Sequence, residues 1–402
     1  MKNIHKDLMS IYQAGLEAVK GSVVVNKAFQ KEFFSGANFH VVAIGKAADS
    51  MLQGVPENKI ISALLISKHN HISGRFKHAS NIQCIESDHP IPKQSSLKAG
   101  KALIRYLEKL PTKEPCLFLI SGGTSSLVEV VENGWSLSEL AALTDYLLAN
   151  AYSINEINAV RRRVSKIKGG GLCAYLGERE ISCLMISDVP NNDPADIGSG
   201  LLFGERKQSL LPKLPKPWGE KIPLATQGLA SHAFDWRIIA SLDIAKKAAG
   251  KHAKALGYAV QIVPNFLEGD ASWVAKTCIK TLKNGPDSLF IWGGETTIKL
   301  PNDAGKGGRN QHLALAASII IQGRQEIVLL AAGTDGSDGV TEATGALVDN
   351  QTIKKGEKLG LAANDYLRRA DSYHYFDQTD ELIFTGATGT NVMDLLIGIA
   401  KS

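Results

Sequence analysis

One hydropathy theme repeats along the chain: a short run apolar at every position ends in a Gly-rich polar loop, and a helical period follows. Val41-Val42-Ala43-Ile44 leads to Gly45-Lys46, and Leu117-Phe118-Leu119-Ile120 leads to Ser121-Gly122-Gly123-Thr124. Cys183-Leu184-Met185-Ile186 precedes Ser187-Asp188, Leu289-Phe290-Ile291-Trp292 precedes Gly293-Gly294-Glu295, and Ile327 to Ala332 precedes Gly333-Thr334-Asp335. Runs apolar on both faces read as central strands of a sheet covered on both sides. Helical periods fall at Lys6–Val19, Ser96–Glu108, Ser136–Ala151, Ile157–Ile167, Leu242–Leu256, Ala271–Lys283 and Gln311–Ile321. Ser136 with Glu139 three residues on has capping-box spacing. The alternation predicts an α/β fold with a mostly parallel sheet.

Glu205 to Pro223 breaks the theme. It carries Lys207, Lys213, Lys216 and Lys221 and prolines at 212, 215, 217 and 223. Proline lacks the donor that helices and sheets need. The segment reads as a linker, which gives an N-terminal domain over 1–204, a Pro/Lys-rich linker over 205–235 and a C-terminal domain over 236–402. A long surface loop within one domain is the alternative.

Length agrees, since 402 residues suggest two domains. Hydrophobic residues are 44% and charged residues 21%, which excludes a disordered chain. The net charge of +5 is too diffuse for a nucleic-acid footprint. Its densest local run, Arg161-Arg162-Arg163 with Lys166 and Lys168, lies inside a helical pattern. No apolar run approaches the ~20 residues of a membrane span, and the first ten residues lack the apolar centre of a signal peptide. Five cysteines without a C-x-x-C suggest neither disulfides nor zinc. Reduced thiols and a cytoplasmic location are expected. A homodimer is left open.

Ligands of open α/β sheets bind at the carboxyl ends of the strands, so the loops there carry the chemistry. Gly45-Lys46 joins a tight turn to a helix start and adds a full positive charge, which suits an anion. A capping glycine beside a solvated lysine accounts for it equally. Ser121, Gly122, Gly123, Thr124 and Ser125 offer close backbone approach and hydroxyl donors, as a plain turn also would. Asp188 directly after a strand suits Mg²⁺ or proton acceptance, whereas Asp193 and Asp196 read as turn caps. Arg309 at the mouth of a helix, after Gly307-Gly308, suits bidentate contact to a carboxylate or phosphate, with a surface arginine near a cap as the alternative, and Glu295 orders the cleft. Asp335, in Gly333-Thr334-Asp335-Gly336-Ser337-Asp338-Gly339, is a second candidate for Mg²⁺, with an Asp-Gly turn as the alternative. Phe384 to Asn391, with Thr388, reads as another strand and anion-friendly loop, followed by an apolar helix. Gly169-Gly170-Gly171-Leu172-Cys173-Ala174 fits a dinucleotide pattern in letters but follows a helical period, so it fails in context. These loops suit a small anionic ligand and phosphoryl transfer.

Taken in order, the loops resemble the type II glycerate kinases, a two-domain family whose C-terminal part is called MOFRL. The matching segments are Ala43-Ile44-Gly45-Lys46-Ala47, Ser87-Asp88-His89-Pro90-Ile91-Pro92, Ile120-Ser121-Gly122-Gly123, Asn155 to Asn158 through Lys166 to Gly170, and Ser187-Asp188-Val189-Pro190. They continue with Gly293 to Thr297, Gly307 to Gln311, Ala332 to Gly336 and Thr388 to Val392. The ordered set spans nearly the whole chain.

The resemblance implies a Rossmann-like three-layer α/β/α N-terminal domain, a smaller α/β MOFRL-type C-terminal domain and a site in the cleft between them. It implies ATP- and Mg²⁺-dependent phosphorylation of D-glycerate at its 2-hydroxyl, giving 2-phosphoglycerate. The family's lysine after the first strand falls on Lys46 and its cleft arginine on Arg309. Lys46, Asp188 and Arg309 are then the expected catalytic residues, with Asp188 and Asp335 toward Mg²⁺. Gly45, Ser121, Gly122, Gly123, Thr124, Ser125, Glu295, Asp335, Thr388 and Asn391 line the anion sites. The family is similar to proteins labelled hydroxypyruvate reductases, which makes NAD(P)H-dependent reduction the rival activity. Another small hydroxy acid is the rival substrate. Departures from the family pattern are Asn191 in place of Gly, His312 in place of Glu, and a shortened segment after Gly200.

Overall fold

Burial on both faces gives the first sheet its centre. Every residue of β1 (Phe39–Ile44), β4 (Cys116–Ile120) and β5 (Ile181–Ile186) is buried in the computed structural model. The structure describes residues 4–30, 37–150, 152–204, 211–223, 234–323 and 326–400. With β2 (Ile60–Lys68), β3 (Ile82–Ser87) and β6 (Asp235–Ala240), these strands form a sheet in the order β3-β2-β1-β4-β5-β6. The pairs from β3 through β5 are parallel. The chain steps outward from β1 to β3, then returns to the other side of β1 as β4. The crevice between the ends of β1 and β4 is therefore a topological switch point, the usual ligand position of such sheets. Ile44 pairs with Ile120, which sets Gly45 level with Ser121.

Val42, Ile44, Phe118, Ile120 and Met185 form a core with Ala99, Leu103 and Leu107 of the helix Gln94–Lys109. The expected capping box forms at the helix Leu137–Ala149: Glu139 N–H donates to Ser136 Oγ at 3.2 Å, and Ser136 N–H donates to Glu139 at 2.9 Å. Ser153 and Glu156 repeat it at the helix Ile154–Arg163.

The Pro/Lys-rich segment is a correction to the expected linker. Residues 211–223 lie on the first unit, where Ile222 is buried with Trp135, Leu140 and Leu147, and Leu211, Leu214 and Trp218 pack beside them. Lys221 pairs with Glu139, and its Nζ lies 4.9 Å from the Trp135 ring centre. Apolar residues between the prolines dock the segment, and Trp218–Lys221 forms a helical turn directly after Pro217. The rest of the expected linker up to 233, residues 205–210 and 224–233, lies outside the described residues.

Two compact units result: Gly21–Ile239, and Ala240–Ser402 together with Met1–Lys20. The second unit carries a sheet in the order β11-β10-β9-β12-β8-β7. Its strands are β7 (Val260–Asp270), β8 (Leu289–Thr297), β9 (Ile327–Gly333), β10 (Gly345–Val348), β11 (Leu382–Ile383) and β12 (Asp394–Ala400). β7 and β8 are parallel, but β12 runs antiparallel to both β8 and β9, and β10 antiparallel to β9 and β11. The parallel expectation thus holds for the first sheet and not for the second.

The apolar stretch after Asn391, expected as a helix, is β12. Leu395, Leu396, Ile397 and Ile399 are buried between two neighbouring strands, and a run apolar all round carries no period to tell helix from strand. The N-terminal helix Ile4–Val19 also departs from the expected division, since it belongs with the second unit and not with 21–204. Gly15 permits this docking: a Cβ there would lie 3.2 Å from Leu395 and 3.3 Å from the Ala245 carbonyl.

Candidate active site

The loop after β1 turns because Gly45 adopts φ +130°, and a Cβ there would lie 2.1 Å from Ser121 Oγ. Only glycine permits that approach. Ser121 Oγ accepts the Ala47 N–H at 3.1 Å, and Lys46 N–H donates to the Gly122 carbonyl at 2.9 Å. Thr124 Oγ1 donates to the carbonyls of Ser121, at 2.7 Å, and Ile44, at 3.1 Å. The expected residues Gly45, Lys46, Ser121, Gly122, Gly123 and Thr124 therefore meet at the switch point. Ser121 and Thr124 are fully buried, and their hydroxyls brace the two loops. Lys46, Gly123 and Ser125 are part-buried beside them. Gly123, at φ +84°, would place a Cβ 3.2 Å from Lys46 Cγ and 3.0 Å from the His89 ring. His89 thus enters the site from the loop after β3, a position that the sequence marked only by resemblance.

Asp188 stands part-buried just beyond β5 and the fully buried Ser187. Of its neighbours, Asp193 behaves as a turn cap, accepting the Ala195 N–H at 2.9 Å, whereas the Asp196 side chain makes no cap hydrogen bond and pairs with Arg162 at 3.4 Å. Gly169 and Gly170 donate to the carbonyls of Ser199, at 3.0 Å, and Gly200, at 2.7 Å. Those glycines pack chain against chain after a helix.

In the second unit, Arg309 is the first residue of the helix Arg309–Ile321. Its Nε and Nη2 donate side-on to Asp394 at 2.6 and 3.0 Å, and its Nη1 lies 3.0 Å from Glu295. Burial opposes the charge of Arg309, but the carboxylates outweigh it and raise its pKa. The helix start is already capped. Asp338 accepts the N–H groups of Asn310, at 3.1 Å, and Gln311, at 2.8 Å. Burial, with Asp394 adding, pushes the Asp338 carboxyl up to about 6 against the pull of those donors and of Arg309.

Asp394 opens β12 opposite Gly294 and Gly333, so the antiparallel strand delivers it to the edge where β8 and β9 end. Asp335 lies two residues past β9, accepting from Ser337 N–H at 3.2 Å. Thr388 Oγ1 donates to the Thr334 carbonyl at 2.6 Å, which ties the Thr388–Asn391 loop to the same edge. Asn391 is buried there. Tyr12, from the N-terminal helix, donates to the Gly333 carbonyl at 2.5 Å. Sequence reasoning missed Asp394, Asp338 and Tyr12 as site residues. His312, where the family pattern has Glu, lies 3.1 Å from Ser272 Oγ, and burial lowers its pKa.

Expected site residues divide between the units: Gly45, Lys46, Ser121 to Ser125 and Asp188 in the first, Glu295, Arg309, Asp335, Thr388 and Asn391 in the second. Asp188 and Asp335 are thus not neighbours within one unit. Among the described residues, no group of three or more His, Cys, Asp and Glu could hold a metal. No described helix is long and apolar enough to cross a membrane.

Residues 7–209 match a family described as a domain of unknown function (DUF4147), and residues 288–394 match the MOFRL family. A D-glycerate 2-kinase of Thermotoga maritima is 32% identical, over 98% of this chain and 99% of that protein. A putative hydroxypyruvate reductase of Agrobacterium vitis is 33% identical, over 88% of this chain and 97% of that protein. The crystal structure of a glycerate kinase from Thermotoga maritima superposes with a TM-score of 0.84 at 30% identity, over 100% of both chains.

Proposed function

The chain belongs to the glycerate 2-kinase family, and from that membership we propose that it phosphorylates D-glycerate at the 2-hydroxyl with ATP. The hydroxyl oxygen attacks the γ-phosphorus and loses its proton. The bond to the β–γ bridging oxygen breaks, leaving ADP and 2-phosphoglycerate. The observation that carries the reading is that each unit holds one cation on a braced support: Lys46 on the Gly45–Ser121 turn, and Arg309 held by Asp394. Phosphoryl transfer needs positioning and charge stabilisation more than covalent chemistry. Lys46 neutralises the transferring phosphoryl or the carboxylate of the substrate, and Arg309 stabilises the equatorial oxygens.

Mg²⁺ binds through one or two carboxylates and retains water and phosphate oxygens, so a cluster of three protein ligands is not needed. Asp394 and Asp338 are committed to Arg309 and to helix N–H groups. Asp188 and Asp335, both part-buried at strand ends, suit the ion and the departing proton between them. When bound, Mg²⁺ supplies charge neutralisation of the β- and γ-phosphates. Five free cysteines, four of them buried, support the cytoplasm as the location.

The reductase alternative needs a dinucleotide turn after β1. The residues there are Gly45-Lys46-Ala47-Ala48, without the second and third glycines of the fingerprint. Lys46→Ala and Arg309→Ala should each lower kcat/KM by roughly 10³-fold or more. Phosphorus NMR of the product should show a 2-phosphate. Near-normal turnover in either variant would sink the assignment of that residue, and a 3-phosphate would sink the regiochemistry.

A further inference from the structure

Arg161 is a cation whose electrostatic partner carboxylate is already taken. It lies part-buried in the last turn of the helix Ile154–Arg163. Its Nη2 is 3.4 Å from the Ser125 carbonyl and 3.5 Å from Ser125 Oγ, and these are its hydrogen bonds among the described residues. Both are long for a charged donor. The carboxylate within its electrostatic reach is Glu129. Glu129 is buried and committed elsewhere: it pairs with Lys168 Nζ, and it accepts Ser165 Oγ–H at 2.6 Å and Val130 N–H at 3.0 Å. Two cations therefore face one carboxylate where charge is costly unless matched. Burial lowers the Arg161 pKa. The Lys168 pKa falls to about 8, chiefly by burial, with Arg161 pushing the same way against Glu129.

This excess charge sits at the Ser121–Ser126 loop, whose Gly123 lies against Lys46 and His89. We infer that Arg161 and the Ser125 hydroxyl form an oxyanion site that takes the carboxylate of the hydroxy acid or a phosphate oxygen of the nucleotide. The fork of a guanidinium matches both groups, and the incoming anion completes the charge balance that Glu129 leaves open. The inference deepens the kinase reading and rests on it for the identity of the anion, but not for its existence.

Arg161→Gln tests it. Without ligand, the variant should melt at the same temperature as the parent or higher, because an unmatched buried charge has been removed. D-glycerate and inorganic phosphate, each added without ATP, should raise the melting temperature of the parent, and at least one of those shifts should vanish in Arg161→Gln. In steady state, KM should rise at least tenfold for one substrate and stay unchanged for the other. Arg161→Lys should recover part of the loss. Loss on the glycerate side assigns the carboxylate, and loss on the phosphate and ATP side assigns the phosphate oxygen. A lower melting temperature with both KM values unchanged would overturn the inference in favour of packing. So would a parent stabilised by neither anion, or equal stabilisation of parent and variant. If the parent forms no glycerate-dependent ADP yet loses its anion shift in Arg161→Gln, the kinase reading fails and the oxyanion site stands.

Discussion

Asp394 grips Arg309 side-on, with Nε to Oδ2 at 2.6 Å and Nη2 to Oδ1 at 3.0 Å. The carboxylate is buried and belongs to a strand, while the arginine is one-third exposed and opens a helix. A sheet residue thus fixes the aim of a helix residue, and Glu295 at 3.0 Å holds the remaining arm. Side-on arginine–carboxylate pairing adds geometric precision as well as energy.

Asp394→Asn should keep the fold and release that aim. A misplacement of about 1 Å can cost roughly 10²-fold in rate, and kcat should fall by about that much. Stability should drop by about 2 kcal/mol, below the value for a fully buried pair because solvent screens Arg309. Urea titration and initial rates check both parts. Unchanged kcat would show that Arg309 needs no such anchor.

Gly45→Ala sets a Cβ 2.1 Å from Ser121 Oγ in a left-handed conformation. Strain of this kind costs about 1–3 kcal/mol, and the loop that presents Lys46 must move. Activity should fall by more than tenfold. Gly74→Ala is the control, since a Cβ there meets nothing within 4 Å; it should leave activity and melting temperature close to the parent.

Asp338 predicts a pH signature. Its carboxyl titrates near 6 in the fold, against about 3.9 unfolded. The folded state therefore binds more protons between those values. The contribution, on the order of 2–3 kcal/mol, is fully present below pH ~4 and is lost as pH rises through 6. Asp338→Asn should lack this downward step, so the stability of the parent relative to the variant should fall as pH rises from 4 to 7, read by denaturant midpoints. A difference that does not change over that range would contradict the raised titration.

Legibility in the sequence followed burial. β1, β4, β5, β8 and β9 are apolar on both faces and end in Gly-rich loops, so their positions and the residues after them were readable. β12 is equally apolar, but the neighbours that make it a strand lie far away in sequence, and no local period separates it from a helix. Asp394 was lost with it. Tyr12 was hidden for the same reason, since its hydroxyl meets Gly333 more than three hundred residues later. Ser121 and Thr124 looked like ligand donors because composition records a hydroxyl and not where it points. The Pro/Lys-rich segment reads as a linker because proline disfavours helix and sheet interiors, yet Leu211, Leu214, Trp218 and Ile222 dock it, and Trp218–Lys221 forms a helical turn.

Tyr12→Phe should separate the N-terminal helix's packing from its polar contact. The ring stays buried, and the bond to the Gly333 carbonyl is lost. Burial and then Asp335, Asp394 and Asp338 raise the tyrosine pKa, so the phenol stays protonated as a donor across neutral pH. The variant should lose about 1 kcal/mol and show a smaller kcat change than Asp394→Asn. Deleting residues 1–20 should be far more damaging, since it uncovers Ala245, Ala249 and Leu395. A truncated chain as stable as the parent would contradict the assignment of this helix to the second unit.

The central claim is best tested by ADP release from Mg²⁺·ATP with and without D-glycerate, with Lys46→Ala beside the parent. The account predicts ADP that depends on D-glycerate in the parent and is lost in the variant. No glycerate-dependent ADP from the parent, or ADP that persists unchanged in Lys46→Ala, would contradict it.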